Sequence, residues 1–348
     1  MIQIPHSRPV FGQTFENAAS AVIQSGFLAQ GQETTLLEQT ISDKLGQRHV
    51  LAVDSGTHAL ALAIRHFSGN KSGAKVGIPA YACASLLFAV KTANAIPIFM
   101  DCDSSLCLDR TLALEKAETL DVLILVHPFG MVEPLIAQKF DCPVIEDIAQ
   151  SAGAKYQGIE VGTFGDISIG SLYATKPWGG AYGGFVTSEN DDITQNIRAM
   201  CNPDLAPLNL AYVGHHQLSN LHAAVARVRL HNAAHELAQR SRLTEKYNAL
   251  IDKTSATSIH SADNTQGNYF RYVISTSKPA EHIIQQFRAL GINASKPIQQ
   301  PLHHGQPSGS CPNADDAWEH YISLPMLTEL SDIEFAHMKE GIQKCLHS

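Results

Sequence analysis

A three-layer α/β/α arrangement with a mostly parallel central sheet, followed by a smaller C-terminal α+β unit, is the fold class this sequence predicts. Three observations carry the prediction. Short apolar runs at 49–53, 75–79, 96–100, 122–126 and 143–146 alternate with stretches of helical periodicity, and that alternation builds parallel sheets covered by helices on both faces. The run at 143–146, PVIE, stays apolar up to two acids, Glu146 and Asp147, as a buried strand does when its carboxyl end reaches a site. From Gly267 onward a strand, a helix and a strand follow one another, the pattern of an α+β unit. At 348 residues the chain is long enough for both units, and we expect a large unit over 1–235 and a small one over 236–348.

Residues 13–25 read as a helix, and Gly26 to Gly31, with Phe27 and Leu28, as a loop. Residues 33–45 place Leu36, Leu37, Ile41 and Leu45 on one helical face, and Gly46 stops that helix. The strand 49–53 turns through Ser55, Gly56 and Thr57 straight into the apolar helix 58–67. Such a turn offers free N–H groups at the positive end of a helix, which suits a phosphate: Gly56 lets it approach and Thr57 adds a hydroxyl. A plain N-cap reads the same way. The strand 75–79 passes through 80–85 into a helix ending near Ala93, and a helical pattern at 110–119 separates the strands 96–100 and 122–126. The sequence VHPFG ends the latter, so His127 faces the crevice, to donate to a ligand or to hold a loop.

A second apolar run, DISIGSLYAT at 166–175, ends at Lys176 and is followed by a loop with Gly179, Gly180, Gly183 and Gly184. Ligands of open α/β sheets bind beyond the carboxyl ends of the strands, so Asp147 and Lys176 point at one crevice. Pyridoxal phosphate calls for this pair: a lysine amine for the Schiff base and an acid beside the pyridine nitrogen. The plain alternative is a solvated lysine and a capping acid. Gln150, one helical turn after Asp147, can face the same ligand. Residues 191–200 form a helix, 221–251 a long helical connection, 268–276 an aromatic-rich strand, 279–290 a helix and 292–298 a strand. His303, His304 and Tyr321 could reach a substrate from this last part, with ordinary surface roles as the alternative.

Composition excludes several classes. A net charge of −8 argues against non-specific nucleic-acid binding. The N-terminus lacks a basic start and apolar block, and no run of about 18 apolar residues occurs, so neither secretion nor a membrane span is expected and the cytoplasm is the default. Seven scattered cysteines without a C-x-x-C give no disulfide framework or zinc ribbon. Seventeen histidines include the groups His215, His216, His222 and His303, His304, but no H-E-x-x-H and no acid at ligand spacing in sequence, so no metal is expected. A dinucleotide enzyme would need G-x-G-x-x-G after the first strand, and a serine hydrolase G-x-S-x-G.

Seven segments together resemble the DegT/DnrJ/StrS family of pyridoxal-phosphate sugar aminotransferases: SGFLAQG (25–31), DSGTHAL (54–60), IPAYACAS (78–85), VHPFG (126–130), EDIAQSAGA (146–154), GTFGDISIGSLYATK (162–176) and, more weakly, YISLPM (321–326). They fall in the family's order across nearly the whole chain. The resemblance implies the PLP-transferase fold of aspartate-aminotransferase type, Lys176 as the Schiff-base lysine, Asp147 on the pyridine nitrogen, Gln150 near the phenolic oxygen and Ser171 on the phosphate. A dehydrating branch carries histidine where Lys176 stands, so this chain resembles the transaminating branch. Two departures are clear. Cys83 occupies a position where the family often stacks an aromatic ring on the cofactor, with Tyr81 close by; either Cys83 faces the cofactor or it is a core residue. His215 and Gln217 occupy positions of an asparagine and an arginine that precede a partner-facing helix, and His215 could still donate to a phosphate across a homodimer interface. The implied substrates are L-glutamate as amino donor and a nucleotide-linked keto sugar as acceptor. Other pyridoxal-phosphate chemistry on the same scaffold, such as dehydration or amination of a cyclitol, and a catalytically silent sensor are the rival readings.

Overall fold

The computed structural model describes residues 2–46, 49–307 and 309–347. Its main sheet has seven strands in the spatial order His49–Val53, Gly184–Ser188, Ile167–Ser171, Val144–Asp147, Val122–Val126, Lys75–Pro79, Ile96–Met100. Six run in one direction; Gly184–Ser188 pairs antiparallel with both neighbours. This is the mostly parallel α/β sheet the alternation predicts. The strand Val122–Val126 is buried at all five positions, which is why its sequence, VLILV, does not alternate.

Sequence reasoning leaves Gly184 in a loop, whereas it opens the reversed strand. A Cβ at Gly184 would lie 2.5 Å from the backbone N of Gly56. The glycine therefore lets this strand pass directly under the start of the helix Gly56–Phe67. Ser55 caps that helix by accepting the His58 N–H at 3.2 Å, and every residue from Ala59 to Arg65 is buried.

A second core gathers Ile4 with side chains from 243 to 346 around a three-stranded antiparallel sheet, Thr257–Ser258, Tyr272–Ser275 and Tyr321–Leu324. The helix Asn220–Ile251, 32 residues and about 48 Å long, serves both cores. Its Ala223, Ala226 and Leu230 pack beneath the large sheet, and its Leu243, Tyr247 and Ile251 in the second core. The expected strand 292–298 is reduced to two isolated bridges, Ile4 with Ile292 and Ser295 with Ser323, and Pro297 has no N–H to extend the pairing. Among the described residues no helix is long and apolar enough to cross a membrane.

Candidate active site

A cavity of about 390 Å³ opens where the strands Val144–Asp147 and Ile167–Ser171 end, and it is lined by Gly56, Thr57, Cys83, Asp147, Gln150, Ser171 and Lys176 among others. Seven positions singled out in the sequence thus meet in one place. The volume suits a small organic ligand.

Consecutive residues of one strand point to opposite faces, and this separates the two acids. Asp147 turns into the cavity, and its Oδ1 accepts the Ala149 N–H at 2.8 Å. Burial pushes the Asp147 carboxyl up from the usual carboxylate range, while the Ala149 N–H, Lys176 and His127 pull it down. Glu146, fully buried, faces the other way and takes the N–H groups of Phe164 (2.9 Å) and Gly165 (3.0 Å) and the Ser168 hydroxyl (3.1 Å). It pins the loop ahead of the next strand and touches no ligand space.

Lys176 follows the strand Ile167–Ser171 and reaches across the cavity, its Nζ 4.9 Å from the centroid of the Phe270 ring. Burial pushes its amine down from lysine's ordinary range; Cys83 and Asp147 pull it back up, and Arg271 adds to the fall. At the other end, Gly56 and Ser171 approach so closely that a Cβ on Gly56 would sit 3.2 Å from the Ser171 Cβ. The start of the helix leaves the Gly56 and Thr57 N–H groups without partners inside it, and with the Thr57 and Ser171 hydroxyls they form a cradle fit for a phosphate. Gln150 also lines the cavity and accepts the Phe129 N–H through Oε1 at 2.9 Å. Cys83 is exposed toward the cavity, whereas Tyr81 is buried with its hydroxyl 3.4 Å from the Ala317 carbonyl. The cysteine, not the tyrosine, faces the ligand space.

Four substrate candidates lie elsewhere. His127 is fully buried: its Nδ1 accepts the Glu133 N–H at 2.9 Å, which puts the proton on Nε2, 3.0 Å from Glu146 Oε1. It holds the loop. Tyr321 donates its hydroxyl to the Ser104 carbonyl at 2.9 Å. His303 and His304 both turn their Nε2 to Asp315 Oδ1, at 3.2 and 2.6 Å. None of the four lines the cavity. His215 is exposed and also lies outside the lining of this subunit. Its neighbour His216 is drawn inward, 3.1 Å from Asp54 and 2.7 Å from the Tyr212 hydroxyl, while Asp54 also holds His58 at 2.8 Å. Tertiary folding brings His216 to the local Asp54–His58 pair and Asp315 to His303 and His304, so sequence spacing does not reveal the full groupings.

One wall escaped the sequence reading. Phe270 and Arg271 enter the cavity from the loop before the strand Tyr272–Ser275. That loop is docked onto the large sheet: the Asn268 N–H donates to Gly130 (2.9 Å) and the Arg271 N–H to Phe129 (3.0 Å). The Asn268 side chain donates to the carbonyls of Gln150 and Ala152, both at 3.0 Å. Gly130 has φ +95°, and a Cβ there would lie 2.3 Å from Asn268 Oδ1, so the contact requires glycine. Tyr182 and Tyr173, both exposed, complete the rim.

Comparison with known proteins agrees with this geometry. A GDP-perosamine synthase of Caulobacter vibrioides is 28% identical over 290 residues, 76% of each chain. A UDP-N-acetyl-3-dehydro-alpha-D-glucosamine 3-aminotransferase of Acidithiobacillus ferrooxidans is 26% identical, covering 98% of this chain and 96% of its own. Among solved structures, an aminotransferase of Helicobacter pylori involved in the biosynthesis of pseudoaminic acid superposes with a TM-score of 0.90 at 20% identity, covering 99% of both chains. A DegT DnrJ EryC1 StrS aminotransferase from Brucella abortus gives 0.87 at 24% identity over 95% of each. These likenesses establish the fold, and residues 9–343 match the DegT/DnrJ/EryC1/StrS aminotransferase family. With that match over almost its whole length, and with a cavity whose residues fit the pyridoxal phosphate on which such enzymes depend, the chain belongs to this family of aminotransferases.

Proposed function

We propose that this chain moves an amino group from L-glutamate to a keto sugar carried on a nucleotide, for the synthesis of amino sugars. The observation that carries the reading is the placement of Asp147 and Lys176 in one cavity with a phosphate cradle at its end. The two relatives named for perosamine and aminoglucosamine chemistry support the sugar acceptor.

Bound pyridoxal phosphate supplies an aldehyde that captures the amine and a ring that draws electrons from the carbon beside it. The residues of this chain do the rest. Gly56, Thr57 and Ser171 bind the phosphate end through N–H and hydroxyl donors. Asp147 would hold the ring nitrogen of the cofactor and keep the ring electron-poor, and a positive charge there would offset the burial that pushes the carboxyl up. Gln150 and Cys83, which line the same cavity, would contact the ring. Lys176 would hold the cofactor through its amine and, as the free amine, would move the proton from the donor carbon. Burial lowers its basicity, which favours the free-base form that proton transfer needs.

We further propose a cytoplasmic homodimer with shared sites, built from a large cofactor-binding unit, 1–235, and a small one, 236–348. Exposed Tyr173 and Tyr182 on the cavity rim, together with exposed Leu205 and Leu208, support a covering partner, and His215 would donate to the partner's phosphate site.

The absorption spectrum of the purified protein tests the function. A visible band that fades on adding L-glutamate and returns with a keto sugar is the expected result. A protein that stays colourless after incubation with pyridoxal phosphate would favour the silent-sensor reading instead.

A further inference from the structure

We propose that His303, His304 and Asp315 form a binding site for a divalent metal ion of the zinc kind, separate from the cavity and independent of the transamination reading.

Spacing along the chain shows no acid beside these histidines; the fold supplies one. The Leu302 N–H donates to the Ala80 carbonyl at 2.8 Å and the Gln306 N–H to the His303 carbonyl at 3.1 Å, which fixes the turn that carries the two imidazoles. Asp315 stands on the helix Pro312–His320. Asp101 holds the start of that helix, its Oδ2 accepting the Asn313 N–H at 3.0 Å and its Oδ1 the Ala314 N–H at 2.8 Å. One ligand atom from each of the three residues lies within 4.8 Å of the others, so the donors converge on anchored backbone.

The cluster is poorly satisfied by its own hydrogen bonds. A single oxygen, Asp315 Oδ1, faces both imidazoles, 3.2 Å from His303 Nε2 and 2.6 Å from His304 Nε2. The His303 side chain is 8% exposed, yet its Nδ1 has no hydrogen-bond partner among the described residues. A buried imidazole with one long contact gains from a stronger bond at Nε2. Because no partner claims Nδ1, that nitrogen can carry the ring proton and leave the Nε2 lone pair for a metal.

Two imidazoles and one carboxylate are donors for zinc and its neighbours rather than for magnesium or calcium, which take oxygen. Ligand atoms around a tetrahedral ion with bonds of about 2.0–2.1 Å lie about 3.3 Å apart. The edge from His303 to Asp315 has nearly that length, and the edge from His304 can open to it, because His304 and Asp315 are 36% and 46% exposed. The same exposure leaves the remaining coordination position to water, as in zinc sites with three protein ligands. The ion would staple the turn to a helix whose Ala314 and Ala317 pack in the core of the large sheet. It therefore adds to stability and takes no part in turnover.

A second trio, Asp54, His58 and His216, also brings its donor atoms within that distance but is the poorer site. His216 has both ring nitrogens engaged, by Asp54 and by the Tyr212 hydroxyl. His58 lies in the first turn of the helix Gly56–Phe67, whose positive end disfavours a cation.

The test uses the tag-free holoenzyme, dialysed against a chelator and then freed of it, as wild type, His304→Ala, Asp315→Asn and His58→Ala. Calorimetric titration with zinc chloride should show about one equivalent bound by wild type and by His58→Ala. Affinity should be at least about 10-fold weaker in His304→Ala and in Asp315→Asn. Saturating zinc should raise the thermal unfolding midpoint of wild type by several degrees and leave those two variants unmoved. Trp318 reports position, since its ring lies 5.9 Å from that of His304. Nickel chloride should therefore quench its fluorescence, and Trp318→Phe should lose the quenching, which decides the matter if a ligand variant does not fold. A wild type that binds no zinc, binding that survives both ligand substitutions or is lost in His58→Ala, or emission that nickel leaves unchanged would overturn the site.

Discussion

The cavity has two walls built on different plans. On the sheet side, Asp147, Ser171 and Lys176 stand at or just beyond the ends of strands buried on both faces. On the opposite side, Phe270 and Arg271 ride on a loop whose place depends on a few hydrogen bonds to Phe129, Gly130 and Gln150 and on one glycine of positive φ. The first wall draws its precision from the core, so it can hold reacting groups. The second draws it from a small docking contact, so it can be displaced without unfolding the sheet.

That contrast can be broken at four points, in falling order of effect. Lys176→Ala removes the covalent and proton-transfer group of the rigid wall and should cut turnover by about 10³- to 10⁴-fold while leaving weak cofactor binding; steady-state rates and equilibrium dialysis check it, and near-normal turnover would sink the assignment. Gly130→Ala puts a Cβ against Asn268 and Phe270 and should raise the half-saturating donor concentration about 10- to 100-fold, with a loss of about 1–3 kcal/mol in urea denaturation and near-normal cofactor affinity. If cofactor affinity falls equally, the walls are not independent.

The third concerns the loop behind the docking contact. Burial pushes the Glu133 pKa up to about 7, above the value of an unfolded glutamate, so the folded state holds the extra proton between about pH 4.5 and 7. Its contribution favours the folded protein below that window and is lost as pH rises through it, a fall of order 3 kcal/mol. Glu133→Gln should flatten this stretch of the stability profile, followed by thermal or urea unfolding across pH. The smallest effect is expected outside both walls. His304→Ala breaks a partly exposed contact with Asp315 and should change stability by less than about 1 kcal/mol and turnover by less than about twofold; a large loss of turnover would return the His303–His304 region to the substrate path.

The two walls also differ in how far the sequence discloses them. Strand ends leave a mark, because a continuous apolar run that stops at a polar residue is what a buried strand meeting a site must look like. This is why Asp147 and Lys176 could be named in advance, whereas Ser171 comes from the family resemblance alone. Glu146 and Asp147 look alike in the string and part only by the alternation of strand faces. The second wall leaves no such mark. Positive φ at Phe129 and Tyr269 has no signature at non-glycine residues, and NYFRYVIST reads as an ordinary aromatic strand although its Phe270 and Arg271 belong to the cavity. His127 misleads for the opposite reason: it stands at a strand end as a ligand residue would, yet two glutamates hold it inside. His303 and Asp315 meet through a turn and a helix, which spacing along the chain cannot show.

The docking of residues 268–271 has an evolutionary reading. Two of these four residues outside the main sheet, Phe270 and Arg271, carry side chains into the site, and the anchorage of the four is largely backbone to backbone plus one asparagine. Substitutions at 270 and 271 can therefore change which substrates the enzyme accepts while the lysine, the acid and the phosphate cradle stay in place. A chain organised this way can acquire new specificity without risking its chemistry, because the part that varies and the part that must not are carried on separate pieces of backbone.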